Sequence, residues 1–283
     1  MAYKTILVHL NDERRLPSLL AAAIPIARAS SAHLIGLAVL PPTIIVPDTE
    51  AGPGTVIDAH RIAYQAQINR MRVAFDNVKG ETGLSTEWRE PDGQEVNPFG
   101  DVAMVVLEHA RSADLVIAGQ DNPEWALSGY LDVAERLILE GGRPVLLIPK
   151  TGPVRPIGKR ILVAWNGRRE AARAAFDALP LLKAADAVDV GCVNPEAEAK
   201  DSGVPNSAEI CTALARHGVK CEAMPPIHAM RGVGSALLAT ADSRNADMLV
   251  MGCYGHSRLR EFIMGGASQY VLAHMNIPVL MSH

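Results

Sequence analysis

The feature that most constrains this chain is that it matches itself. "ILVHLND" (Ile6 to Asp12) returns as "ILVAWNG" (Ile161 to Gly167), 155 positions on. "ADLVIAG" (Ala113 to Gly119) returns as "ADMLVMG" (Ala246 to Gly252), 133 on, and "RPVLLIP" (Arg143 to Pro149) as "IPVLMSH" (Ile277 to His283), 134 on. Three matches in one order predict two like domains in tandem, 1–150 and 151–283. The fall in offset gives the first copy about 22 extra residues in its middle. The seam is expected in "PKTGPVRPIGK", residues 149–159, whose prolines and glycines suit a linker.

Within the second copy, apolar β-rich runs cover Arg160–Trp165, Val188–Val193, Val219–Met224, Met248–Gly252 and Pro278–Ser282. Helical patterns cover Arg169–Ala184, Ser207–His217, Val233–Asn245 and Gly265–His274. Strand–helix alternation predicts an α/β fold, two doubly wound domains each with a five-stranded parallel sheet flanked by helices. Composition agrees: 48% hydrophobic with only 4% aromatic residues suits strands buried on both faces. The extra length of the first copy is a Pro/Gly-rich loop, residues 41–60, leading into a helix. There Tyr64, Ile68, Met71, Phe75 and Val78 form one apolar stripe, which reads as core. The last strands of the copies, around 144–148 and 278–282, are expected to pair as an internal pseudo-dimer that hides two sheet edges; a further homodimer is compatible with this.

Several function classes are disfavoured. A net charge of −4 and a pI near 6.1 argue against a nucleic-acid partner. No uninterrupted apolar stretch reaches the roughly 20 residues of a spanning helix, and "MAYKTILVHLND" lacks a signal peptide's apolar core. The expectation is a cytoplasmic protein with no membrane partner. Cys192, Cys211, Cys221 and Cys253 form no C-x-x-C pair and read as small buried hydrophobes. The nine histidines show no metal-ligand spacing, and His9, inside the first strand, is expected to be a satisfied core residue. Ser257 and Ser268 have no G-x-S-x-G elbow, which leaves nucleophilic catalysis without support.

The end of the second copy is more specific. Gly252 and Gly255 close its fourth strand, and Gly265 and Gly266 open the following helix. Ligands of open parallel sheets bind beyond the strands' carboxyl ends, where strand order reverses. Glycines there let the backbone approach a ligand, and the first N–H groups of a helix attract phosphate. Arg258 would add charge-assisted contacts, and His256 is a further candidate phosphate contact. Asn166, ending the first strand, would face this group across the crevice with an amide suited to an adenine edge. The nine residues between Gly255 and Gly265 rule out the tight Rossmann and Walker loops.

The spacing Gly252, Gly255, Gly265 resembles the G-x2-G-x9-G-[ST] signature of ATP-binding universal stress proteins, and the likeness covers the chain twice. The resemblance implies strand order 3-2-1-4-5 in each domain and an ATP-like adenine nucleotide, with Mg2+ as its companion cation, bound for regulation in stress tolerance. Two positions depart from the pattern: Gly266 replaces the Ser or Thr, for which Ser268 is the nearest substitute, and Asn166 replaces an acidic residue. In the first copy, Asn122 takes the second glycine's place and Leu131 and Asp132 replace the last two. Aspartate at a helix start caps the N–H groups itself and repels phosphate, so nucleotide is expected in the second domain only. The protein reads as no enzyme, or at most a slow ATPase. A structural or interaction protein of the same fold is the alternative. A related nucleotide hydrolase is disfavoured, because "NGRREA" after Trp165 is no S-G-G-x-D-S loop.

Overall fold

A computed structural model describes residues 2–41, 53–93, 101–124, 133–152, 156–193, 207–229, 232–253 and 266–283. The chain forms two compact units, Tyr3–Gly141 and Gly142–His283, the latter with residues 1–2.

In the first unit, strand β1 (Thr5–His9) leads through a 3-10 turn (Glu13–Arg15) into helix α1 (Leu16–Ser30) and strand β2 (His33–Leu37). Then follow α2 (Pro53–Thr82), β3 (Thr86–Arg89), α3 (Val102–Ala110), β4 (Leu115–Gly119) and α4 (Ala134–Glu140). The strands run parallel in the order β3-β2-β1-β4. On α2, Tyr64, Ile68, Met71, Phe75 and Val78 are all buried, as their three- and four-residue spacing requires of one helix face. The loop expected over 41–60 is shorter than that, because residues 53–60 already form the start of α2; residues 42–52 lie outside the described residues.

The second unit comprises β5 (Val145–Ile148), β6 (Arg160–Trp165), α5 (Arg169–Asp177), α6 (Leu179–Ala184), β7 (Ala187–Cys192), α7 (Ser207–Arg216) and β8 (Cys221–Ala223). It ends with α8 (Val233–Ser243), β9 (Met248–Gly252), α9 (Gly266–His274) and β10 (Val279–Ser282). Its strand order is β5-β10-β9-β6-β7-β8. From β10 to β8 all pairs are parallel, which is the order 3-2-1-4-5 of one repeat. The last strands of the two repeats, β5 and β10, are antiparallel, with Leu146 opposite Leu280. The fifth strand of the first repeat therefore clusters with the second unit.

The repeated "AD" dipeptides explain how each first strand is anchored. The Asp114 carboxylate accepts the backbone N–H groups of Lys4 (2.6 Å) and Thr5 (3.0 Å) at the start of β1. Asp247 does the same for Gly158 (2.9 Å), Lys159 (3.0 Å) and Arg160 (3.2 Å) at the start of β6. One helix differs from the expectation: 169–184 is broken into α5 and α6. Pro180, in the first turn of α6, has no N–H to bond the carbonyl four residues back, so the helix restarts there. Among the described residues, no helix is long and apolar enough to cross a membrane.

Candidate functional site

In the second unit, β6 lies between β7 and β9, and β9 between β6 and β10. The chain leaves β6 toward β7 and leaves β9 toward β10, so the two connections diverge. This opens a crevice at the carboxyl ends of β6 and β9, and Asn166 and Gly252 stand at those two ends.

Asn166 is half-buried, and its Oδ1 accepts the backbone N–H of Arg168 at 3.1 Å. This short turn commits the amide oxygen to the backbone and leaves Nδ2 as the group offered to a ligand. Gly252 is needed for packing: a Cβ there would stand 2.5 Å from the Ala171 nitrogen and 2.7 Å from the Glu170 carbonyl oxygen. The first turn of α5 is thus pressed against the end of β9. Gly266, the first residue of α9, is exposed, and a Cβ there would meet no atom of the described residues within 4 Å. Ser268 lies in the same first turn but is buried. Gly255, His256, Arg258 and Gly265 lie outside the described residues.

Three further residues belong to these strand ends. Trp165 keeps partial exposure beside Asn166, because it is the last residue of β6. Ser282 pairs in register with Gly252, and its buried hydroxyl has no hydrogen-bond partner among the described residues. Glu170 is buried in the first turn of α5, its Oε1 taking Arg169 Nε at 2.5 Å. Only Glu170 had a signal in the sequence: the 155-residue offset places it opposite Arg15, with reversed charge.

The first unit uses the equivalent position differently. Arg15 is buried; its guanidinium donates to the Gln120 carbonyl, and its Nη2 is 2.7 Å from where a Cβ on Gly119 would stand. A charged side chain thus covers the end of β4. Beside it Asn11 is buried, its carbonyl accepting the Tyr64 hydroxyl at 2.8 Å. His9 is a core residue as expected, but its Nε2 has no hydrogen-bond partner among the described residues. Burial, helped by the charge of Arg15, lowers its pKa to about 4, which keeps the ring neutral. Leu131 and Asp132 lie outside the described residues.

Fold and strand ends together define a doubly wound α/β protein duplicated within one chain, its first repeat covering the end of β4 with the Arg15 side chain and its second ending β9 on a glycine. The model of the universal stress protein family matches residues 226–283. No curated protein matches the sequence significantly. A universal stress protein from Archaeoglobus fulgidus DSM 4304 covers 98% of this chain and 95% of its own at 16% identity, with a TM-score of 0.63. A putative universal stress protein from Pseudomonas aeruginosa UCBPP-PA14 covers 99% and 93% at 19% identity, with a TM-score of 0.54. A shorter universal stress protein, solved in complex with cAMP, covers 44% of this chain and 97% of its own at 19% identity, with a TM-score of 0.36. Residues 226–283 thus resemble the universal stress protein family, and over its length the chain has the tandem fold of the two longer structures.

Proposed function

We propose that the second unit is a regulatory module that binds an adenine nucleotide, ATP or a close relative, in the crevice between the ends of β6 and β9. The observation that carries this reading is the start of α9 at Gly266, which no described residue crowds, on the chain segment that joins β9 to β10. In this reading the first N–H groups of α9, with Gly255, Gly265 and Arg258, take the phosphates, and Asn166 Nδ2 donates to a ring nitrogen of the base. Mg2+ would accompany the phosphates as their counterion. The motif supplies binding groups rather than a paired acid and base, so any hydrolysis is slow. Nucleotide occupies the second unit only, because Arg15 covers the end of β4 in the first.

The rival reading is an interaction protein of the same fold without nucleotide. It is favoured by Gly252, whose glycine is accounted for by the backbone of α5 with no ligand. Titrating ATP into the protein and its Gly266→Ser variant decides between them. A Cβ there meets no described residue, and one hydrogen bond from a serine hydroxyl to a charged phosphate is worth about 1.5–3 kcal/mol. The variant should therefore bind ATP roughly one to two powers of ten more tightly. Absence of binding by both proteins would establish the rival.

A further inference from the structure

Cys211 and Cys221 are ten residues apart in sequence but sit side by side in the second unit. Cys211 is on the buried face of α7, and Cys221 is the first residue of the edge strand β8. The Cys221 thiol is 3.3 Å from the Cys211 carbonyl oxygen, to which it donates, so the two cysteines lie against each other. Cys211 is buried and Cys221 half-buried, so Cys221 is the more exposed residue of the pair. The remaining cysteines, Cys192 and Cys253, are buried at the ends of β7 and β9.

We propose that Cys211 and Cys221 form a reversible dithiol–disulfide site, oxidised by hydrogen peroxide or a small disulfide, that staples α7 to the edge strand β8. Cys221 meets the oxidant first. Its thiolate attacks one oxygen of the peroxide, breaking the O–O bond to give a sulfenic acid and hydroxide. The Cys211 sulfur then attacks the sulfenic sulfur; the S–S bond forms, the S–O bond breaks, and the Cys211 proton leaves with the departing hydroxide as water. Two thiols and one peroxide thus yield one disulfide and two waters. Burial and the neighbouring Cys221 push the Cys211 thiol up to about 12, so at neutral pH it remains protonated and acts as the resolving partner. The site is independent of nucleotide binding.

The test treats the full-length protein with hydrogen peroxide, alkylates the remaining thiols and maps peptides without reduction. The expected product is lighter by two hydrogens, keeps two of its four thiols, carries a Cys211–Cys221 cross-linked peptide and reverts with dithiothreitol. Cys221→Ser should abolish the cross-link. Cys211→Ser should leave a sulfenic acid on Cys221 that dimedone captures. A Cys192→Ala, Cys253→Ala double variant should keep the cross-link. Both thiols remaining alkylatable after peroxide would overturn the proposal. So would cross-links only to Cys192, Cys253 or a second chain, or sulfinic acid on Cys221 as the sole product.

Discussion

Gly252 and Gly266 belong to one motif yet answer to different physics. At Gly252 a methyl group would strike the backbone of Glu170 and Ala171, which cannot swing aside as a side chain would. Gly252→Ala should cost about 1–3 kcal/mol in urea denaturation, with or without nucleotide. At Gly266 a methyl group would meet no described residue, and alanine is the better helix former by up to about 1 kcal/mol. Gly266→Ala should leave stability unchanged or slightly raised. Equal losses from the two substitutions would refute this division of roles. His9 makes a separate prediction about pH. Its folded-state pKa of about 4 lies below the ordinary histidine value of 6.5, so the native state prefers the neutral ring. The corresponding stability, about 3 kcal/mol, is complete above pH 6.5 and is lost as the pH falls toward 4. Subtracting the pH profile of His9→Leu from that of the parent should isolate this loss; identical profiles would contradict it.

Among the elements, the strands that hold the crevice were the most legible. Arg160–Trp165 and Met248–Gly252 end where their apolar runs end, because a parallel strand buried on both faces writes its limits into hydrophobicity. The edge strand was less so: 219–224 was expected and Cys221–Ala223 forms, since an edge strand is half-buried and its ends carry little pattern. The shared aspartates before β4 and β9 are elements of the fold rather than of the site. Each holds the start of a neighbouring strand by its backbone N–H groups. Asp114→Ala and Asp247→Ala should each cost roughly 1–3 kcal/mol through the donors left unpaired. Hydrogen exchange should localise the loss of protection to β1 in the first variant and to β6 in the second. Protection lost elsewhere would show that the aspartates act by another route.

At the scale of the whole molecule, duplication has produced two copies with different strand ends. Calorimetry should find one ATP site per chain; two equivalent sites would contradict the covering role of Arg15. Cutting the chain tests where the second unit begins. A fragment of residues 142–283 keeps β5 against β10, whereas one of 151–283 leaves the β10 edge unpaired. The shorter fragment should self-associate through that edge in size-exclusion chromatography, and the longer one should unfold at higher denaturant. Indistinguishable fragments would mean that β5 contributes nothing to the unit.

The sequence by itself determined the duplication, the strand–helix alternation, the buried stripe of α2 and the glycine signature. All of these are periodic or repeated along one dimension, and local spacing records them. Only the tertiary structure decided which glycine faces backbone and which meets no described residue, that Arg15 covers the end of β4, that His9 Nε2 has no partner among the described residues, and that Cys211 and Cys221 meet. Each of these depends on distances across the fold between residues whose sequence separation says nothing about their approach. Chain topology, not local pattern, sets those distances.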